Sequence, residues 1–262
     1  MQFVVINTTQ KKVDPALVLR ILHKRYRDKS EKLEFFLRGQ SWRLWGIEMC
    51  DELNADPNSP WCDKIISPGD DRKGRVLSEQ NFVNSFGMIY SRIDDQNIVK
   101  DYVPLYWRAI ANLWPEGTGD NAYRYSLQRT SGINSFHYMF PFIYFKSVSL
   151  GTAKIKDFTN NLKPVRKKYK PDFWARGGEA KNFTSLTSQR TLADRMINST
   201  LLGGKGLKLA KLPNSLLGTK EGSTWDIAAR LIPMRTYFLF KQEKLLSIDS
   251  GATGVYIFIF IY

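Results

Sequence analysis

Cysteine and histidine are nearly absent from this 262-residue sequence, which holds two of each. Cys50 and Cys62, with no other thiol nearby, cannot build a tetrahedral thiolate zinc site, and so few thiols fit a reducing compartment. The histidines, His23 and His137, are too few for a histidine-based metal centre and give no Ser/His/Asp grouping. His23 is expected on a basic helix and His137 in or near the core. No stretch approaches the roughly 18 consecutive apolar residues that span a bilayer. The apolar start, Met1 to Ile6, has neither a basic leader nor a cleavage site, so a cytoplasmic location is expected. No internal repeat is present.

Apolar residues and positive charge are plentiful. At 43% hydrophobic and 24% charged residues, the chain can bury a substantial core, which argues against global disorder. The formal net charge of +14 is unevenly placed. Lys11 to Arg43 carries ten Lys/Arg against four Asp/Glu, and Lys154 to Lys211 carries fourteen against four. What remains is close to neutral, so the basicity marks particular surfaces, and nucleic acid is the partner that such surfaces suit. A generally soluble basic surface is the plain alternative.

Local signals favour helices. Asp14-Pro15 before Ala16 to Leu22 is a helix start, with Leu17/Ile21 and Val18/Leu22 expected on the buried face. Lys24, Arg25, Arg27 and Lys29 crowd its C-terminal turn, where cations also meet the negative end of the helix dipole. Asn54 to Gly74, rich in Pro, Gly, Asp and Ser, reads as a loop. Ser78 caps a helix bearing Phe82, Phe86, Ile89 and Ile93 at helical spacing. Asp101 is expected to open another, with Leu105, Ala109, Leu113 and Trp114, ended by Pro115-Glu116-Gly117. Ile133 to Leu150 is apolar nearly all round and predicts a central buried helix, kinked or interrupted at Pro141. Lys154 to Gly178 turns polar and basic, a possible domain edge, and Ser188 to Leu202 predicts a helix with Leu192, Met196 and Leu201 inward. Arg235 to Phe240 and Gly254 to Tyr262 read as two strands.

The first residues carry the informative motif. Phe3 to Pro15 reads FVVINTTQKKVDP and runs into the basic helix. Asn7 and Gln10 can donate and accept hydrogen bonds, and with Lys11 and Lys12 they suit an anion or phosphodiester; a polar turn plus helix cap is the plain alternative. This string resembles the segment that follows the Asp-Gly-Gln-His-Arg motif in the DGQHR-motif family, which includes the regulator of DNA phosphorothioation operons and relatives from bacterial defence islands. The family is distantly similar to the ParB/sulfiredoxin superfamily. Looser likenesses lie in Ser78 to Phe86, the Trp107 and Trp114 helix, Arg129 to Ile133, and Trp174 with Gly177-Gly178 and Phe183. The DGQHR motif itself is absent, so the resemblance implies the C-terminal part of the family fold. Asn7, Gln10 and Lys11 are the positions carried over.

Weaker motifs have ordinary readings. Ser188 to Ile197 (SQRTLADRMI) is similar to the first helix of a helix-turn-helix, but Gly203, Gly204 and Gly206 stand where a recognition helix would follow. Leu202 to Lys208 lacks Walker A spacing. Gly254 to Ile257 matches half of a GIY-YIG nuclease motif without its partner, and reads as a terminal strand. Neighbouring carboxylates, Asp51/Glu52, Asp70/Asp71 and Asp94/Asp95, read as a solvated face or loop.

The expected fold is α+β: mainly helical, with a partial ParB-like domain at the N-terminus and a small β element at the C-terminus. The division is 1–45 for the remnant of a DGQHR/ParB-like domain, 46–211 for a helical region with the basic segment, and 212–262 for the β element. The expected function is that of a DNA-associated regulatory or accessory component of a bacterial modification or restriction system. Lys12, Lys24, Arg25, Arg27, Lys163, Arg166, Lys167, Lys168 and Lys170 would contact phosphates, with Trp42 and Trp174 available for stacking on unpaired bases. No cofactor is expected for this chain alone; nucleotide and Mg²⁺ belong to the reading with the full-length domain. Two alternatives stand beside it: a ParB-like nucleotide-hydrolysing or DNA-nicking enzyme using Asn7, Gln10 and Lys11, and a protein-interaction scaffold.

Overall fold

The computed structural model describes residues 15–26, 37, 40, 42–71, 73–148 and 153–201. The Asn7/Gln10/Lys11 motif, Lys12, Arg27, the Gly203 to Lys211 loop and both C-terminal strands lie outside these residues, as does the proposed ParB-like remnant up to Asp14. Among the described residues the chain is mainly helical. Its elements are α1 (Pro15–Tyr26), α2 (Trp42–Ala55), β1 (Ile65–Ile66), β2 (Leu77–Ser78), α3 (Glu79–Tyr90), α4 (Gln96–Leu113), α5 (Thr130–Val148), α6 (Ile155–Lys168), the single turn α7 (Pro171–Trp174) and α8 (Leu186–Leu201). Helix α2 runs unbroken across positions 45 and 46. The only sheet among these residues is the two-residue parallel pairing of β1 with β2, Ile65 opposite Leu77 and Ile66 opposite Ser78.

Helix α5 forms the centre of the molecule. Its residues Ile133, Phe136, His137, Met139, Phe140 and Ile143 are all fully buried, and the helix continues through Pro141. A helix that is apolar on every side has to be surrounded, and α3, α6 and α8 pack around it. The aromatic spacing predicted for α3 holds: Phe82, Phe86 and Ile89 are buried, with Ile93 just beyond, and Ser78 Oγ accepts from Asn81 N–H. Rings then interlock. Trp107 lies edge-on to Trp61 at 4.7 Å, and Phe136 lies between Trp114 and Trp174 at 5.7 and 5.4 Å.

Three local expectations need correction. In α1 the buried residues are Ala16 and Leu19, while Leu17, Val18 and Ile21 are exposed; Arg20 decides this rotation, because it has to reach Asp51 on α2 and Glu79 on α3. Helix α4 begins at Gln96, not Asp101. The Asp95 carboxylate caps the Asn97 and Ile98 N–H groups one turn upstream, and Val99, Val103, Tyr106, Trp107 and Ile110 form the buried face. The basic stretch from Lys154 is no edge of the fold, since Phe158, Leu162 and Val165 insert α6 into the core against α4 and α8.

Candidate nucleic-acid interface

Helix α6 presents two opposite stripes. Phe158, Leu162 and Val165 recur at i, i+4, i+7 and are fully buried. Lys156, Asn160, Lys163 and Lys167 recur at i, i+4, i+7, i+11 on the other side and are exposed. At 1.5 Å rise per residue the lysine stripe runs about 16 Å. Lys168, the last residue of α6, and Lys170 just beyond it continue the basic surface; both are exposed, with Lys168 over the Tyr169 ring at 5.6 Å. None of these five lysines is in an ion pair among the described residues, and Lys163 Nζ donates to Asn160 Oδ1 at 2.9 Å. Asp157, the one acid within α6, accepts from the Lys154 backbone N–H at the helix start. Lys156 was missed from the sequence because only the helical phase, fixed by the buried stripe, places it with Lys163 and Lys167.

Arg166 does not belong to this surface. Its Nε donates to the Leu113 carbonyl at 2.6 Å, its Nη2 pairs with Glu116 at 3.1 Å, and its guanidinium lies 6.0 Å over the Trp114 ring. It caps an open carbonyl at the C-terminus of α4. Trp174 is also removed, being fully buried among Phe136 and Phe173, and Trp42 is half-buried against Gly87 on α3. Among the described residues the large aromatic left in the open is Tyr123, at 47% exposure.

The first basic segment is seated elsewhere, since α1 packs on α2 and α3. Lys24 is exposed on it, and Arg25 lies on the same helix. Arg20 is instead a tie: it forks to Glu79 at 2.7 and 2.8 Å and to Asp51 at 2.5 and 3.2 Å. Glu79 is buried, and its hydrogen bonds, followed by those of Asp51, raise the guanidinium pKa further. The buried Cys50 thiol beside them is pushed up, first by desolvation and then by the two carboxylates, so it is held as an unreactive thiol. His23 lies 3.6 Å from Glu48.

The packing also creates one pairing that has the look of a catalytic dyad. Ser85 Oγ sits 2.8 Å from His137 Nδ1, both groups fully buried. Its direction excludes base catalysis. Trp107 Nε1–H, a donor only, reaches His137 Nε2 at 3.0 Å. Nε2 is therefore the unprotonated nitrogen, Nδ1–H donates to Ser85, and the Ser85 hydroxyl donates to the Phe82 carbonyl at 2.5 Å. Burial lowers the His137 pKa to about 3, so the ring stays neutral. This is a satisfied polar chain inside the core, joining α3, α4 and α5. The neighbouring carboxylates are likewise structural where the structure shows them: Asp51 pairs with Arg20, Asp70 with Arg75, and Asp95 caps α4. No group of three or more His, Cys, Asp or Glu able to hold a metal occurs among the described residues. No described helix is long and apolar enough to cross a membrane.

The chain matches no protein-family model, no curated protein and no solved structure.

Proposed function

We propose that this protein binds DNA through phosphate contacts, as an accessory or regulatory component of a bacterial DNA-modification or restriction system. The observation that carries the binding reading is the lysine stripe on α6. Lys156, Lys163 and Lys167 stand opposite the buried stripe, continue into Lys168 and Lys170, and are balanced by no carboxylate among the described residues. A rigid, core-anchored helix holding cations in line lowers the entropic cost of meeting a regular array of phosphates. The resemblance of Asn7, Gln10 and Lys11 to the DGQHR-motif family supports the modification-system setting, and exposed Lys24 on α1 adds a cation away from α6.

Lysines on one outward stripe read charge rather than bases, so selectivity between sequences is weak. The test is fluorescence anisotropy of the full chain on two unrelated duplexes across a salt series. Affinities within about fivefold of each other, both falling steeply with salt, are expected. A strong preference for one duplex that persists at high salt would show base readout and overturn the phosphate-based reading.

A further inference from the structure

Three arginines from two bridged segments lie together outside α6. Tyr125 and Ala175 form an isolated antiparallel bridge, fixed by Arg176 N–H to the Arg124 carbonyl at 2.8 Å and by Ser126 N–H to the Trp174 carbonyl at 2.6 Å. In that pairing Arg124 and Arg176 stand across from each other, joined by their own backbone hydrogen bond. Arg129 belongs to the same turn. Its N–H bonds to the Ser126 carbonyl at 3.1 Å and its Nη2 to the Tyr123 carbonyl at 3.3 Å. Burial, and after it the charge of Arg176, push the Arg129 pKa below the ordinary guanidinium value, which places the two cations within each other's field.

Like charges set directly opposite each other destabilise a pairing. Four arginines elsewhere, Arg20, Arg75, Arg108 and Arg166, each hold a carboxylate. At this corner no carboxylate pairs with Arg124, Arg129 or Arg176 among the described residues. Among the described residues Arg124 Nε donates to the Tyr123 hydroxyl at 2.7 Å, and the buried Arg129 Nε has no partner. Helix α5 starts at the next residue, Thr130, and adds the positive end of its dipole. The corner is also sterically fixed. A Cβ on Gly132 would collide with the Leu127 and Ser126 carbonyls, and one on Gly178 with those of Asp172 and Phe173, so each segment folds tightly on itself beside the bridge.

We propose that Arg124, Arg129 and Arg176 form a binding site for a phosphate group, with the half-buried Arg129 fork as its anchor and Arg124 and Arg176 flanking it on the two bridged segments. The phosphate is that of a nucleic-acid strand or of a small phosphate-bearing ligand; the chemistry of recognition is the same. The site does not rest on the α6 lysines.

Calorimetric titration of the full chain with inorganic pyrophosphate tests it. Arg124→Gln/Arg176→Gln should weaken pyrophosphate at least about tenfold, and Arg129→Lys, which keeps the charge but loses the fork, about fivefold. The ligand-free melting temperature of the double variant should be unchanged or higher, because the repulsion is gone. Lys163→Ala/Lys167→Ala/Lys168→Ala/Lys170→Ala should bind pyrophosphate as the parent chain does. Displacement of pyrophosphate by a short duplex assigns the site to the nucleic-acid backbone, and retention assigns it to a free ligand; either supports the proposal. It is overturned if the parent chain does not bind pyrophosphate, if the double variant binds it unchanged, if the lysine variant loses it equally, or if the double variant melts lower.

Discussion

At the scale of single residues, burial decides what each polar group can do. His137 and Ser85 are near neighbours in the manner of a nucleophile and its base, yet the indole of Trp107 fixes the tautomer that makes the imidazole a donor to the serine. The pair contributes to stability. The folded-state pKa of His137, about 3, is below its unfolded value of roughly 6.5, so the unfolded chain binds a proton that the folded chain refuses. The stabilisation is therefore complete above pH 6.5 and is lost as pH falls toward 3. Between about pH 6 and pH 4 the unfolding free energy should drop by roughly 1.4 kcal/mol per pH unit from this group. Urea unfolding across that range checks it, with His137→Asn expected to be less stable at neutral pH but flatter in its dependence. An equally steep slope in that variant would assign the effect to other groups. From the sequence, His137 was readable as a core residue because it sits in an apolar helix; its bond to Ser85, 52 residues away, depends on the packing of α3 against α5 and has no local signal.

Among elements, helical phase was legible where apolar residues were dense and misleading where they were sparse. Helices α3 and α5 follow their spacing because large aromatic side chains leave one solution. Helix α1 does not, because Leu17, Val18 and Ile21 make an apolar stripe on paper while the ion pairs of Arg20 to Glu79 and Asp51 turn another face inward. The same distinction separates Arg166 from the lysines around it. By composition Lys163, Arg166, Lys167 and Lys168 are one run; by phase and length Arg166 reaches the end of α4. Arg166→Ala should therefore cost about 1–2 kcal/mol of stability through the lost cap and ion pair, while leaving the affinity for DNA within about twofold of the parent. Thermal melting and anisotropy on the same preparations separate the two effects. A variant that melts normally but binds DNA poorly would return Arg166 to the interface.

For the whole molecule, one core built around α5 fixes the surfaces that carry charge. It anchors α6 with its lysine stripe outward, and it holds the Tyr125–Ala175 bridge where the three arginines meet. Composition alone located the basic segment from Lys154, because fourteen cations against four acids survive any packing. It did not locate Arg124 and Arg129, which lie in a stretch of ordinary charge and join Arg176 only through the fold. The central claim is that the α6 lysines neutralise phosphates, and the salt dependence of DNA affinity measures it directly. Each phosphate neutralised adds about 0.9 to the slope of log affinity against log salt. Lys163→Ala/Lys167→Ala/Lys168→Ala/Lys170→Ala should flatten that slope by roughly 2 to 4. A parent chain and variant with the same slope would contradict the account.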